Sequence, residues 1–155
     1  MKILIMLKIS ILFTGAILLS GCGFSFAKPT KYVEPVKDIT ELHDVCVYKN
    51  IETFMTYNEA EKIITTKLDD LKISYELKNK EDLKNCQYLL AYNIRRDVGI
   101  PTYLSIMEVT LSNEKNVLGS IQYYYSLSGL SVSAESMKST DKIILSLLNE
   151  MFVQQ

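Results

Sequence analysis

The first residues of the chain constrain it most, because they decide the compartment in which the remainder folds. Lys2 and Lys8 precede an uncharged apolar run, ISILFTGAILL, which ends in small residues. A basic start, a short apolar run and a small-residue exit are typical of a cleaved export signal. The uncharged stretch 9–21 holds 13 residues, whereas a helix that spans a bilayer needs about 20. We therefore predict that residues 1–21 are a signal peptide and not a transmembrane helix.

At the end of the apolar run, Leu19-Ser20-Gly21-Cys22 closely resembles the lipobox of bacterial lipoproteins. The resemblance implies that the Cys22 thiol receives a diacylglyceryl group, that the signal is cut before Cys22, and that the new amino group is acylated. A thiolate is the competent nucleophile for this step, and two or three acyl chains anchor a protein stably to a membrane. A competing cut after Ser25-Phe26-Ala27, which fits the ordinary signal-removal rule, would instead release a soluble protein without Cys22.

Gly23 bears on which membrane holds the lipid. In Gram-negative lipoproteins the familiar signal for retention in the inner membrane is Asp after the lipidated cysteine, and this chain has Gly23 there. The resemblance therefore implies residence in the outer membrane, on its periplasmic side, with palmitate among the acyl chains.

The remainder of the chain divides into a connecting segment and one folded domain. Residues 22–43 hold Pro29 and Pro35, scattered charge and little periodicity, which predicts a flexible tether that ends at His43. As a coil it would reach ~25 Å. Residues 44–155 are expected to form a globular domain, since 48% of the chain is apolar and 23% is charged, an ordinary globular composition.

Residues 44–155 contain patterns of both strand and helix. A β-branched segment at 44–49, a helix that starts at the capping box Thr56-Tyr57-Asn58-Glu59, and an alternating segment at 73–77 predict a β-α-β unit with a right-handed crossover. Three alternating segments at 86–96, 102–112 and 117–125 predict an antiparallel meander, and a last helix covers about 135–152. The predicted fold is a single small α+β domain: a β-α-β unit, a three-stranded antiparallel meander and a C-terminal helix.

Two cysteine-bearing segments, Val45-Cys46-Val47 and Cys86-Gln87-Tyr88-Leu89-Leu90, and the hairpin over residues 103–119 resemble an uncharacterised family of short Gram-negative envelope lipoproteins. The resemblance covers roughly residues 44–152 and rests on structural motifs. It implies a location in the cell envelope and the same α+β architecture. It implies no activity.

Two cysteines remain once Cys22 carries lipid. An even pair in an oxidising compartment predicts a disulfide between Cys46 and Cys86; two buried free thiols are the alternative. A metal site is not expected, because two cysteines and the single histidine, His43, do not supply the usual four ligands of zinc. His43 is expected to be solvated, and no cofactor is predicted.

The sequence gives little support for an enzyme. Ser139-Thr140-Asp141-Lys142 matches S-x-x-K, the nucleophile motif of penicillin-binding proteins, but about one such match is expected by chance. The companion motifs S-D-N and K-T-G are absent from the sequence, so Ser139 is expected to be part of the entry from the loop into the last helix. A formal net charge of -1 without a clustered basic face argues against nucleic-acid binding. We therefore expect a protein that is not an enzyme.

One face of the predicted meander is more apolar than a half-buried sheet usually is. Successive residues of a strand alternate between faces, and the second face carries Leu89, Ala91, Leu104, Ile106, Leu118 and Tyr124. Such a patch is typical of a partner surface, so Leu89, Leu104, Ile106 and Tyr124 are the candidate partner face. The alternative is that the tether, the last helix or the Ser-rich loop covers this face within the chain.

Two further motifs lie at predicted strand ends. Arg95-Arg96-Asp97 could hold an anionic headgroup or glycan, although a solvated strand end is the simpler interpretation. In Tyr123-Tyr124-Tyr125, two rings are expected to point inward and one outward.

Together these observations favour a non-enzymatic envelope lipoprotein that acts as a binding or accessory module for another envelope protein. The alternative hypothesis is a lipoprotein that binds a small molecule or a cell-wall glycan through its Tyr-rich strands.

Overall fold

Six β-strands form one mixed sheet in the computed structural model, which describes residues 28–50, 56–98, 102–126 and 138–153. The strands are β1 (Thr30–Glu34), β2 (Val45–Lys49), β3 (Tyr75–Lys78), β4 (Tyr88–Asp97), β5 (Tyr103–Asn113) and β6 (Val117–Tyr124). The helices are α1 (Ala60–Asp70), a short 3-10 helix (Lys80–Asn85) and α2 (Thr140–Met151). Across the sheet the strand order is β1-β6-β5-β4-β2-β3.

Both helices pack on one face of the sheet, which we call the inner face. α1 buries Ala60, Ile64 and Leu68 at the spacing that places side chains on one side of a helix. The residues that α2 buries are Thr140, Ile143, Ile144, Leu147, Leu148 and Met151. Alternate strand residues complete this core, among them Leu90, Tyr92, Ile94, Met107, Val109, Leu111, Ile121 and Tyr123.

The sheet combines parallel and antiparallel pairs. β2 and β3, which flank α1 in the chain, are parallel neighbours. The 3-10 helix leads into β4, which runs parallel to β2 on its other side. β4, β5 and β6 then pair antiparallel in order. The predicted α+β class and the single small domain are confirmed, whereas the predicted arrangement lacks one of the six strands.

The missing strand comes from the segment that was expected to be a tether. β1 pairs antiparallel with β6 along its whole length. Beyond β1, Val36 and Leu42 are buried in the core, and the Val36 N–H donates to the Met151 carbonyl across 2.8 Å. The prediction of a flexible tether over residues 22–43 is therefore wrong from Thr30 onward.

The two prolines bound this strand and do not prevent it. Pro29 and Pro35 stand immediately before and after β1, where a missing N–H disturbs no central ladder. β1 is an edge strand, and only Val33 among its residues is partly buried. Its side chains therefore lack the alternation by which a strand is recognised in a sequence.

Gly119 on β6 lets the segment after β1 lie close to the sheet. A Cβ on Gly119 would stand 2.6 Å from Val36 Cγ2 and 3.1 Å from the Glu34 carbonyl oxygen. We expect Gly119→Ala to displace this segment and to lower the free energy of unfolding by roughly 1–3 kcal/mol, the usual cost of overpacking. Chemical denaturation of the full chain measures the loss. Adding Val36→Ala should make the two losses less than additive, and an unchanged denaturation midpoint for Gly119→Ala contradicts the prediction.

Helix α1 begins later than the capping-box motif predicted. Its N-cap, Glu59, makes no side-chain capping hydrogen bond. Thr56, the predicted cap, instead forms an isolated antiparallel bridge with Arg95 of β4. The predicted start is wrong because a backbone pairing with a distant strand holds the residue that the local motif requires.

Within the described ranges, no helix has the length and apolar character required to cross a bilayer. The predicted signal peptide, residues 1–21, and the predicted lipidation site, Cys22, lie outside the described residues.

Candidate functional site

Cys46 on β2 and Cys86, just before β4, form a disulfide with a Cα–Cα distance of 5.9 Å. The predicted bond is confirmed, and the alternative of two free thiols is wrong. Cys46 is buried and lies opposite Leu89 across the parallel β2–β4 pair. The bond therefore ties the end of the 3-10 helix to the sheet, on the face away from α1 and α2.

That sheet face, which we call the outer face, is the candidate functional surface. By strand register and alternation it carries Leu89 of β4, Ile106 of β5, Tyr124 of β6 and Tyr32 of β1. Leu89 and Ile106 are half-buried, whereas Tyr124 is 41% and Tyr32 57% exposed. The buried residues of α1 and α2 belong to the core on the opposite face, and the disulfide holds the end of the 3-10 helix at the β2 edge of the outer face. Three of the four predicted partner residues therefore share one accessible surface.

Leu104, the fourth predicted residue of the partner face, lies in the core with 1% of its surface exposed. Arg95 is opposite Ile106, but the next residue, Arg96, is opposite Leu104. The skipped residue, Ser105, donates its hydroxyl to the Arg95 carbonyl. A bulge of this kind interrupts the alternation of side chains, so Leu104 and Ser105 are both buried. The prediction that Leu104 belongs to an accessible face is wrong.

A hydrogen-bonded polar cluster lies in the middle of the outer face. Asn93 Nδ2 donates to Glu108 Oε2 across 2.7 Å, and the Tyr124 hydroxyl donates to Glu108 Oε1. The hydrogen bond to Glu108, together with burial and the charge of that carboxylate, raises the pKa of Tyr124. The cluster fixes three side chains and makes the face partly polar. Interfaces between separately folded proteins have this mixed character.

A second cluster lies where β4 ends and α2 begins. The Tyr57 hydroxyl donates to the Asp141 carboxylate, and the Arg96 guanidinium lies 5.0 Å from the centroid of the Tyr57 ring. Arg96 also donates to the Thr102 hydroxyl. Burial, the hydrogen bond to Asp141 and its charge raise the pKa of Tyr57 to about 12. Tyr57 therefore stays protonated near neutral pH, and Arg96 serves to hold β4 against the start of the helices.

The S-x-x-K segment lies at the start of α2. Ser139 occupies the N-cap position of that helix, as predicted. With Lys138 and Lys142 it lines a groove of about 540 Å³ between α2 and β1. Lys31 of β1, in the same groove, forms an ion pair with Glu150 at 2.8 Å. Lysines dominate the charged lining of this groove, which suits anionic groups.

Other predicted residues lie as follows. Tyr123 and Tyr125 are buried and Tyr124 is exposed, so the predicted alternation of the three rings is confirmed. His43 is exposed, as predicted, with its ring edge-on to Tyr88 at 5.8 Å. In the part of the chain that the structure describes, no three His, Cys, Asp or Glu side chains come together as metal ligands.

Comparison with known proteins bears on the fold. No protein-family model matches the chain, and no curated protein matches it. The sheet with both helices on one face does have a counterpart among solved structures. The fold is similar to that of PelC. A chain of the PelC dodecamer from Paraburkholderia phytofirmans aligns with a TM-score of 0.52 and 18% sequence identity, over 83% of this chain and 100% of the PelC chain.

At this level of identity the likeness to PelC shows the fold alone. PelC itself is described as a dodecamer.

Proposed function

We propose that this protein is a lipoprotein of the bacterial envelope, anchored through lipid on Cys22 and without enzymatic activity. The lipobox Leu19-Ser20-Gly21-Cys22, at the end of a short uncharged run, carries the proposal. The Cys46–Cys86 disulfide supports it, because such bonds persist in oxidising compartments outside the cytoplasm. Gly23 after Cys22 favours the periplasmic side of the outer membrane in a Gram-negative host.

The molecular role that we propose is binding of a protein partner by the outer face. Leu89, Ile106 and Tyr124 leave apolar surface accessible around the cluster of Asn93 and Glu108. Accessible apolar side chains around a polar centre are typical of interfaces between separately folded proteins. Because PelC is described as a dodecamer, a second copy of this chain is the first partner to test.

A second candidate is the binding of a small molecule or a cell-wall glycan. The groove between β1 and α2 favours it, since its volume of about 540 Å³ lies within the usual range of ligand sites and Tyr123 contributes to its lining. A ligand held there would raise the melting temperature of the protein by mass action. Ligand-dependent melting of purified monomer with glycan fragments would favour this candidate over the first.

We expect Cys22→Ser to abolish lipid attachment. Radiolabelled palmitate should enter the wild-type protein in cells and should not enter the variant, because the acyl acceptor is lost. The Cys46→Ala/Cys86→Ala double variant is the matched control, since it loses two thiols and keeps Cys22. Equal labelling of wild type and Cys22→Ser, or labelling of neither, contradicts the proposal. Sucrose-gradient fractionation tests the location, and recovery mainly with the inner membrane counts against the outer membrane.

A further inference from the structure

The strand register shows which elements share the end of the domain at which β1 starts. Thr30, at the start of β1, is opposite Tyr124 at the end of β6. Tyr124 is opposite Ile106, and Ile106 is opposite Arg95, near the end of β4. α2 begins at this same end, since Lys138 and Lys142 share a groove with Pro29. We call the end of the domain that holds Thr30, Tyr124 and the start of α2 the anchor end, and we call the opposite end the distal end.

The chain between the lipid and the domain is short. Cys22 is separated from Lys28, the first described residue, by five residues. Fully extended, this segment spans ~20 Å, and as a coil it spans less. β5, with 11 residues, is about 35 Å long. An acylated Cys22 therefore keeps the anchor end within reach of the bilayer surface, and the distal end lies beyond that reach when the strands stand upright.

Charge differs between the two ends among the described residues. The basic side chains of the anchor end are Lys28, Arg95, Arg96, Lys138 and Lys142, and its carboxylates are Glu59, Asp97 and Asp141. The distal end carries the carboxylates of Glu34, Asp38, Glu41, Asp44, Asp69, Asp70 and Glu114, and the lysines Lys37, Lys67, Lys72 and Lys115. The anchor end thus carries an excess of positive charge, and the distal end carries an excess of negative charge. Anionic phospholipids attract basic residues near a membrane and repel acidic ones.

We propose that the lysines beside the start of β1 and α2, Lys28, Lys138 and Lys142, contact the phosphates of anionic phospholipids in the membrane that holds the lipid anchor. The domain then stands on its anchor end with the strands roughly upright. The acidic distal end points away from the membrane, and the outer face of the sheet points sideways. This inference rests on the proposed lipidation of Cys22, because the short connecting segment brings the lysines to the surface.

Two exposed valines at opposite ends give a matched pair of probe sites. Val98 follows β4 at the anchor end and is 80% exposed, and Val117 starts β6 at the distal end and is 54% exposed. Mature lipidated Val98→Cys and Val117→Cys proteins are labelled with a fluorophore and reconstituted into vesicles that contain nitroxide-headgroup lipid. In phosphatidylglycerol-containing vesicles we expect strong quenching of the Val98→Cys label and weak quenching of the Val117→Cys label. Equal quenching of the two labels, or stronger quenching at position 117, overturns the proposed orientation.

Charge reversal tests the headgroup contact itself. Lys28→Glu/Lys142→Glu in the Val98→Cys background should weaken the attraction of the anchor end for the anionic surface by at least about 30-fold, since the loss of each basic residue removes about a fivefold factor and each new carboxylate adds repulsion. Quenching of the Val98→Cys label in phosphatidylglycerol-containing vesicles should therefore fall. Lys37→Glu/Lys115→Glu, the same change of charge at the distal end, should leave quenching unaltered. Equal quenching of the Val98→Cys label in phosphatidylcholine and phosphatidylglycerol vesicles overturns the phosphate contact.

Failure of the proposed lipidation gives a different experimental result from failure of the proposed orientation. Mass spectrometry of the mature protein shows whether Cys22 carries lipid, and vesicle flotation shows whether the protein is anchored. Protein without lipid that stays unbound overturns the proposed function and this inference together. Lipidated protein that floats without preferential quenching of the Val98→Cys label overturns this inference alone.

Discussion

Replacing Cys46 and Cys86 together by alanine is expected to lower the free energy of unfolding by about 4 kcal/mol and the melting temperature by roughly 15 °C. The bond joins residues separated by 40 positions in the chain. Its removal restores the conformational freedom of that loop to the unfolded state, which is the main stabilising contribution of a long-range disulfide in the chain-entropy model. The double substitution avoids a lone thiol that could pair with another chain.

Chemical denaturation of the wild type and the double alanine variant, each with and without reductant, measures this loss. Reductant should lower the stability of the wild type to nearly that of the variant and should leave the variant unchanged. Cys22→Ser is the matched control, because it removes a cysteine that takes no part in the Cys46–Cys86 bond and should retain full stability. A difference below about 1 kcal/mol between wild type and variant, or two alkylatable thiols in the unreduced folded protein, contradicts the prediction.

The sequence patterns that rest on burial predicted the fold well. The two α-helices, α1 and α2, lie within the predicted helical segments, whereas the 3-10 helix lies where no helix was predicted. The strands that pack on α1 and α2 show period-two alternation, because a sheet covered on one side selects apolar residues at every second position. β1 was missed for the same physical reason. An edge strand with one partly buried residue, Val33, has little apolar pattern, and its partner β6 lies far along the chain.

Local motifs failed where distant backbone pairing competes with them. The capping box at Thr56 is a sound local signal, yet Thr56 bridges to Arg95, a partner that local sequence does not reveal. The prediction of the partner face failed at Leu104 because the pairing of the same stretch of β4 with β5 is irregular. Alternation placed Ile106 and Tyr124 correctly on the outer face, but the bulge at Ser105 buried Leu104. The disulfide, in contrast, needed only a count of cysteines and an oxidising compartment.

Ile106→Glu is expected to abolish self-association of the protein while leaving its melting temperature almost unchanged. Ile106 is half-buried on the outer face and lies opposite Arg95 and Tyr124 across the neighbouring strands. A carboxylate there stays solvated in the monomer and has a guanidinium nearby, so the loss of stability should remain within about 1 kcal/mol. In a complex the same carboxylate would lose its water against the surface of the partner, and this desolvation costs several kcal/mol, more than one nearby guanidinium offsets.

Two matched variants separate the interface from the fold. Leu145→Glu introduces the same charge at an exposed apolar residue of α2, away from the sheet, and should retain self-association. Leu104→Ala removes buried side-chain volume from the core and should cost roughly 2–5 kcal/mol of stability without a specific effect on assembly of the folded protein. Mass photometry of detergent-solubilised protein and cross-linking in isolated envelopes measure assembly. A wild type that stays monomeric at all concentrations, or an Ile106→Glu variant that assembles like the wild type, contradicts self-association through the outer face. An Ile106→Glu variant that unfolds would show that the chain itself covers this face, and the outer face would then not be available to any partner.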